Sequence, residues 1–283
     1  MSRGLRTTII AIVVIVIVLA GIIGYAVTGL AYAQTRVGNA DKTLNTVISH
    51  QNSLNTTFKD IDTKFNGLSS SSTFDPKAAR TLVDQFVANA QSAGAAIDKD
   101  DASLVSARAG LSEQQWLTAF ARGNLDKEAT RIDHARKALS QAKIVASDYV
   151  LDGHFLQAFL DAATDLDTLG AQSATADLAG AKTTLTSMKT HADKGLQLST
   201  APGLPAELHS LMVDFESLIT DFGKLLDAAA AGNDAAITSS EINVQADADK
   251  ISKYNFEQIG TEIDTFYKPM VDSFNAEMAK ATA

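Results

Sequence analysis

An uncharged apolar run near the amino terminus limits what this chain can become. Residues 9–27 read IIAIVVIVIVLAGIIGYAV and contain no charged side chain. A helix rises about 1.5 Å per residue, so the run would extend about 28 Å, close to the roughly 30 Å hydrocarbon core of a bilayer. Lipid offers no hydrogen-bond partners to the backbone, and a helix satisfies its own backbone groups. The run therefore predicts a transmembrane anchor over residues 9–31.

Basic residues on either side of the run predict its orientation. Arg3 and Arg6 lie in a short tail of residues 1–8, and two further basic residues follow the run within fifteen positions. An excess of positive charge favours the cytoplasmic side, which gives a narrow preference for a cytoplasmic amino terminus. We expect a single-pass protein of the cell membrane that contacts lipid through this helix. Residues 34–283 would then form an extracytoplasmic domain.

Two other interpretations of the amino terminus remain open. Ala31-Tyr32-Ala33 before Gln34 fits the A-x-A pattern of a signal-peptide cleavage site, so the run could be a cleaved secretory signal. The opposite membrane orientation is the second alternative. The run is longer than the 7–15 apolar residues of a usual signal peptide, and this favours an uncleaved signal anchor.

Small side chains form one stripe along the predicted spanning helix. Ala20, Gly24 and Thr28 recur at intervals of four and would lie on one face. Such a stripe allows two membrane helices to approach closely. The alternative is that small residues are simply frequent in membrane helices. We take the stripe as a weak prediction of helix packing in the membrane.

Composition excludes several classes of protein. The net charge is −9, and the two arginines of the tail contribute +2, which leaves −11 for the remainder of the chain. An acidic surface repels phosphate backbones, so nucleic acid is not an expected partner. Without cysteine there is no disulfide, no thiolate nucleophile and no thiolate metal ligand. Only 17 glycines and 4 prolines occur, and residues of high helix propensity dominate, so we predict an all-α protein.

Apolar spacing after the anchor predicts an elongated antiparallel bundle of about five to seven helices. Steps of three and four recur in several segments, and this is the spacing of helices that pack at about 20°. Short connections make successive helices antiparallel neighbours. The clearest stripe comprises Val83, Phe86, Ala90, Ala93, Ile97, Leu104, Ala107 and Leu111.

Glycine, proline and serine clusters predict where the helices end. Gly153 lies within a stripe and would mark either a kink or a close approach by another helix. One last helical region is expected from Ile237 to Met270, with Pro269 bending or interrupting it. The predicted breaks and starts are Ser69–Thr73, Pro76, Gly110, a short helix from Ser112 that carries Trp116, Gly123-Asn124, Gly170, Ser199–Gly203 and Gly232.

An acidic run interrupts the clearest stripe. Asp98-Lys99-Asp100-Asp101 falls between Ile97 and Leu104, and Asp100 occupies the position where an apolar residue is expected. We favour a continuous helix with a solvated patch at this point. A break in the helix and a divalent-cation site are the alternatives, but the spacing of an EF-hand loop is missing.

No catalytic, cofactor or metal site is predicted. None of the five histidines has Asp, Glu or His three or four positions away, as a metal site on a single helix face requires. We interpret His134 and His154, which have acidic residues nearby in sequence, as surface groups. A site assembled from different helices is the alternative. No nucleophile elbow or phosphate-binding glycine loop is present either. The chain is therefore predicted not to be an enzyme and to need no cofactor. The histidines are His50, His134, His154, His191 and His209.

The predicted layout, one spanning helix followed by an acidic helical bundle, is similar to that of chemoreceptor sensing domains and other bacterial envelope proteins. That resemblance implies a ligand-sensing bundle that signals through a partner. A second spanning segment and a cytoplasmic output domain, which a receptor needs, are missing from the sequence. We therefore expect a non-enzymatic protein-binding or scaffold module of the cell envelope, with a protein partner or a homo-oligomer, and keep ligand sensing as the alternative.

Overall fold

The computed structural model describes residues 31–69, 76–113 and 122–283, and every regular element in these ranges is an α-helix. Seven helices and no strands occur there, which confirms the predicted all-α class and is consistent with a helical bundle. The helices are α1 (Ala31–Ser69), α2 (Pro76–Ser112), α3 (Arg122–Ala174), α4 (Leu178–Leu198), α5 (Ala206–Ala230), α6 (Asp234–Ile251) and α7 (Phe256–Thr282).

The predicted membrane anchor lies almost wholly outside the described residues, which begin at Ala31. The same holds for the tail of residues 1–8 and for the stripe of Ala20, Gly24 and Thr28. Among the seven described helices, none combines the length and the apolar character needed to cross a bilayer. The anchor and the membrane location therefore stay predictions.

The chain divides into two compact units, each built from separate stretches of sequence. Of the described residues, unit A comprises 63–69, 76–87 and 148–263, and unit B comprises 31–62, 88–113, 122–147 and 264–283. Helices α1, α2, α3 and α7 each contribute one part to unit A and another part to unit B.

Unit B has a core rich in alanine. Leu44, Leu104 and Ile132 are fully buried in it, and alanines fill much of the space between them. A side chain as small as alanine lets helix axes come close, so each residue buries little apolar area but packing stays dense. Parts of α1, α2, α3 and α7 supply the core, which comprises Ala40, Leu44, Val47, Ile48, Ala93, Ile97, Leu104, Leu111, Leu125, Ala129, Ile132, Ala135, Ala138, Leu139, Ala146, Phe274, Met278 and Ala281.

Unit A has a core with larger side chains. Phe155 and Phe159 of α3 stack with ring centroids 6.3 Å apart, and Phe159 also meets Phe215 of α5. Two glycines allow close helix approach within this unit. A β-carbon at Gly195 would lie 2.7 Å from Met212 Cε, and one at Gly153 would overlap Val87 Cγ2. The close approach predicted as one alternative at Gly153 therefore occurs, and α3 continues through this glycine.

Several predicted helix ends are displaced. Helix α2 passes Gly110 by two residues and α3 begins just before Gly123, both within the usual scatter of helix boundaries. The prediction that α3 ends at Gly170 is wrong, since α3 continues to Ala174. A glycine inside a helix costs only about 1 kcal/mol, and the neighbouring Leu169 is fully buried, so packing outweighs the propensity.

The predicted last helical region is two helices. It separates at Ser252–Asn255 into α6 and α7, whereas Pro269 lies inside α7 without ending it. Proline removes one helical hydrogen bond, but Tyr267 and Val271 on either side are buried and hold the helix together. The interruption predicted at Pro269 therefore does not occur.

The turn between α5 and α6 matches its prediction. Gly232 adopts φ +62°, a left-handed conformation that glycine tolerates best, and it follows the end of α5. The side chain of Asn233 then accepts a hydrogen bond from the Ala236 amide at 3.2 Å, which caps the start of α6.

Asn233→Ala is expected to lower the free energy of unfolding by about 1 kcal/mol, because the amide of Ala236 loses its acceptor. Urea unfolding followed by circular dichroism measures the change. Asn243→Ala, the same substitution at an exposed position inside α6, is the control and is expected to be neutral or slightly stabilising. Equal losses in both variants would contradict a capping role.

Candidate functional site

The histidines are bonded to other protein groups. Nδ1 of all five lies 2.7–2.8 Å from a side-chain oxygen. In three cases the oxygen belongs to a carboxylate on a different helix, so the pairs join α1 to α2, α3 to α7 and α4 to α3. The pairs are His50–Asp100 at 2.8 Å, His134–Glu277 at 2.7 Å and His191–Asp165 at 2.8 Å.

The separation of these partners explains why sequence spacing missed the pairs. The bonded residues are 50, 143 and 26 positions apart along the chain, whereas spacing within one helical turn concerns only residues three or four positions apart. The interpretation as surface groups is too simple, since the His134 side chain is only 23% exposed. No group of three or more His, Asp or Glu side chains suited to a metal ion occurs in the part of the chain that the structure describes.

The other two histidines bond to neutral groups of unit A. Nδ1 of His154 lies 2.8 Å from Gln157 Oε1, and the Gln157 amide donates to Asp84 at 2.6 Å. Asp84 and Asp161 both pair with Arg80 of α2. A hydrogen-bonded chain of side chains therefore connects α2 and α3. His209 of α5 meets the hydroxyl of Ser199 at 2.8 Å, at the end of α4.

The acidic run of α2 is only partly solvated. The helix continues through it, as favoured, but Asp100 is 3% exposed rather than solvated. It pairs with His50 and accepts a hydrogen bond from Gln51 Nε2 at 3.2 Å. Its position in the apolar stripe, between Ile97 and Leu104, was the sequence signal that it faces inward. Its two acidic neighbours in the run pair with α3: Asp98 with Lys143 and Asp101 with Arg136.

Several polar groups of unit B surround Arg131. Nη1 of Arg131 lies 2.7 Å from Glu128 Oε2 and 3.1 Å from Asp41 Oδ1, and Nε donates to the carbonyl of Ala281 at 2.8 Å. We call Asp41, Glu128, Arg131 and the Ala281 carbonyl the Arg131 cluster. It joins α1, α3 and the end of α7. Burial raises the pKa of Glu128 above its usual value.

Helix α6 carries buried polar groups, and the turn that follows it is bonded to α5. The two buried residues of α6 are Ser240 and Asp247, and Asp247 pairs with Lys250 at 2.9 Å. Near the following turn, Tyr254 donates a hydrogen bond to Asp214 of α5 at 2.8 Å. Burial, together with this bond, raises the pKa of Tyr254 to about 12.

Among the described residues, the exposed surface includes a shallow groove and scattered apolar side chains. The groove follows the exposed face of α1 and is lined by Gly38, Asp41, Lys42, Asn45, Thr46 and Ser49. Large apolar side chains are exposed on most of the helices, and Ile242 and Phe256 are the most exposed of them at 64% and 52%. The others are Val105, Ile144, Leu151, Leu178, Val213 and Phe266.

The pairing of Glu277 predicts a loss of stability in acid. Hydrogen bonds from Lys280 and His134 lower the pKa of Glu277 to about 2, from an ordinary value of 4.5. A carboxylate whose pKa is lower in the folded state stabilises the fold above the unfolded value, and this contribution disappears as the pH falls from 4.5 towards 2. Wild type is therefore expected to be more stable than Glu277→Gln at about pH 6, and the difference should vanish near pH 2.

Urea unfolding of both proteins between about pH 2 and 6 measures this difference. Asp272→Asn is the control, since Asp272 is exposed and pairs with Lys268 of its own helix, a kind of pair that contributes little. A difference in the free energy of unfolding between wild type and Glu277→Gln that stays constant over the whole pH range would contradict the lowered pKa of Glu277.

Comparisons with known proteins assign no family. No protein-family model matches the chain, and no curated protein and no solved structure matches it either.

Proposed function

We propose that this chain is a non-enzymatic, membrane-anchored helical-bundle protein of the cell envelope that acts as a protein-binding or scaffold module. The observation that carries the proposal is that many of its ionisable side chains pair with one another between helices. Three histidines and four arginines each pair with an acidic group on another helix and thereby join the helices of one unit. The arginines are Arg80, Arg108, Arg131 and Arg136. Histidines and carboxylates, which serve acid–base chemistry in many enzymes, here hold one helix against another.

The membrane location is proposed from the sequence. The apolar run of residues 9–27 has the length and composition of a spanning helix, and Arg3 and Arg6 favour a cytoplasmic amino terminus. The bundle would then face the extracytoplasmic side.

The absence of cysteine from the sequence makes this location easy to test. A single cysteine at the exposed position Ser210 is treated, in intact cells, with a maleimide that cannot cross the membrane. We expect labelling before the cells are broken, and a cysteine introduced at Ser2 should be labelled only afterwards. The reverse pattern would contradict the proposed orientation, and recovery of the protein without membranes would contradict the anchor.

Exposed apolar side chains are the proposed contact points for a protein partner. Interfaces are anchored by a few apolar or aromatic side chains that become buried on binding. Ile242 and Phe256, at 64% and 52% exposure, are the strongest candidates in unit A, and Ile144 at 43% is a candidate in unit B.

Photo-crosslinking in cells tests the partner directly. A photoreactive phenylalanine analogue replaces Ile242, Phe256 or Ile144 in turn, and the exposed Thr183 of α4 serves as the control position. A discrete adduct at an apolar position and none at Thr183 would support the proposal, and its mass would distinguish a second copy from another protein. Adducts at none of the apolar positions would contradict a protein-binding role.

Ligand sensing is the second candidate, and the groove on α1 is the feature that favours it. Small-molecule sites usually enclose most of the ligand surface, whereas this groove is open and lined by a single helix. We therefore rank sensing below protein binding. A small solute that raises the unfolding temperature of wild type but not of Asn45→Leu would reverse that order.

A further inference from the structure

In the Arg131 cluster, two carboxylates approach one guanidinium group. Asp41 Oδ1 and Glu128 Oε2 both approach the same nitrogen, Nη1 of Arg131, at 3.1 and 2.7 Å. Two carboxylates and one guanidinium leave a net charge of −1 when both acids are ionised. The Glu128 side chain is only 4% exposed, so water screens that charge poorly.

One oxygen of Glu128 is left without a hydrogen bond. Oε1 is buried and has no partner among the described residues. An ionised carboxylate needs hydrogen-bond donors at both oxygens, and a buried charge that lacks them is costly. A proton on Oε1 removes the charge while Oε2 continues to accept from Arg131, and Asp41 becomes the single counter-ion of the guanidinium.

We propose that the Arg131 cluster is a proton-operated clamp, in which uptake of one proton by Glu128 in weak acid tightens α1, α3 and the end of α7 in unit B. The charged groups that act on Glu128 are Arg131 and Lys127 of its own helix and Asp41 of α1. Helix α7 contributes the uncharged carbonyl of Ala281, through Arg131.

The electrostatics of Glu128 agree with this geometry. Burial raises the pKa of Glu128 above 4.5, Arg131 opposes the rise, and Asp41 adds to it. An acid whose pKa is raised in the folded state contributes stability that is complete below the unfolded value and is lost as the pH rises through the folded value. Glu128 therefore contributes more to the stability of the folded state as the pH falls towards its ordinary pKa of 4.5.

Hydrogen exchange of the full chain in detergent tests the clamp. Exchange is followed by mass spectrometry at about pH 7.5 and pH 5, and the rates are corrected for the intrinsic effect of pH. Peptides covering residues 34–48, 122–139 and 270–283 report on the three helices. In wild type we expect exchange at the lower pH to be slower by about threefold or more, because a tighter clamp lowers the population of open states.

Glu128→Gln separates protonation from other effects of pH. Glutamine is neutral at both pH values and has nearly the same shape as glutamic acid. The variant should therefore exchange slowly already at the higher pH, and its exchange should slow little further at the lower pH. Asp41→Asn should reduce the slowing of exchange at the lower pH while leaving Glu128 paired with Arg131. The control is Glu241→Gln, at an exposed position on α6. Exchange in this variant should slow at the lower pH as much as it does in wild type.

Two results would overturn the clamp. If exchange in Glu128→Gln slows at the lower pH as much as it does in wild type, another group takes up the proton. Faster exchange of Glu128→Gln at both pH values would mean that the ionised form of Glu128 holds the helices together.

Discussion

Gly153→Leu should lower the free energy of unfolding by about 3 kcal/mol. Even a β-carbon at this position would overlap Val87 Cγ2 and lie 3.3 Å from Phe86 Cδ1, and both residues of α2 are buried. Valine is branched at its β-carbon and has few rotamers, so it yields poorly to an intruding atom. Overpacking of this kind typically costs about 1–3 kcal/mol, and leucine adds more than a β-carbon.

The matched control for Gly153 lies on the same helix. A β-carbon added at Gly170 would have no atom within 4 Å and the residue is exposed, so Gly170→Leu should raise stability by about 0.8 kcal/mol through helix propensity alone. Urea unfolding measures both variants. In a Val87→Ala background, Gly153→Ala should cost less than it does in wild type, and equal costs would contradict the contact between α2 and α3.

Arg131→Met should lower the free energy of unfolding by about 2–4 kcal/mol. Methionine preserves much of the apolar stem but leaves Glu128 and Asp41 without their shared cation and the Ala281 carbonyl without its donor. Breaking a buried pair by removing one partner costs about 3–5 kcal/mol, and the 21% exposure of Arg131 reduces that figure here.

Arg136→Met is the control for Arg131→Met. Arg136 pairs with Asp101 at 2.7 Å, but both side chains are nearly two-fifths exposed, so the pair should contribute less than about 1 kcal/mol. Urea unfolding compares the two variants, and Glu128→Gln combined with Arg131→Met should recover part of the loss. A cost for Arg131→Met no larger than that for Arg136→Met would contradict the importance of the cluster.

Periodicity was sufficient to predict the helices and much of the core. Seven of the eight residues in the clearest stripe of α2 are buried, and Ala107 is partly buried. The pattern fails where the break between two helices carries no glycine or proline. Ser252–Asn255 separates α6 from α7, and a hydrogen bond from the Gln258 amide to the side chain of Asn255 starts the new helix. Treating this region as one helix put Ile242 on the apolar face, but its side chain is 64% exposed.

The polar contacts could not be predicted from the sequence. A position within a helix fixes which way a side chain faces but not which residue of another helix it meets. His134 and Glu277 are 143 positions apart, and only the packing of α7 against α3 in unit B brings them together. Asp100 is an intermediate case, because its place in the apolar stripe indicated burial but not its bond to His50.

The buried face of α6 is polar, and this affects how the helix responds to temperature and salt. Its buried residues are Ser240 and Asp247, so detaching α6 from α5 would uncover less apolar surface than detaching a helix of ordinary composition. The heat-capacity change of that local opening should therefore be small, so its enthalpy should change little with temperature. Lys250 of α6 also interacts electrostatically with Asp214 and Asp221 of α5, and dissolved salt weakens such attractions. Raising the ionic strength should therefore make this helix detach more often.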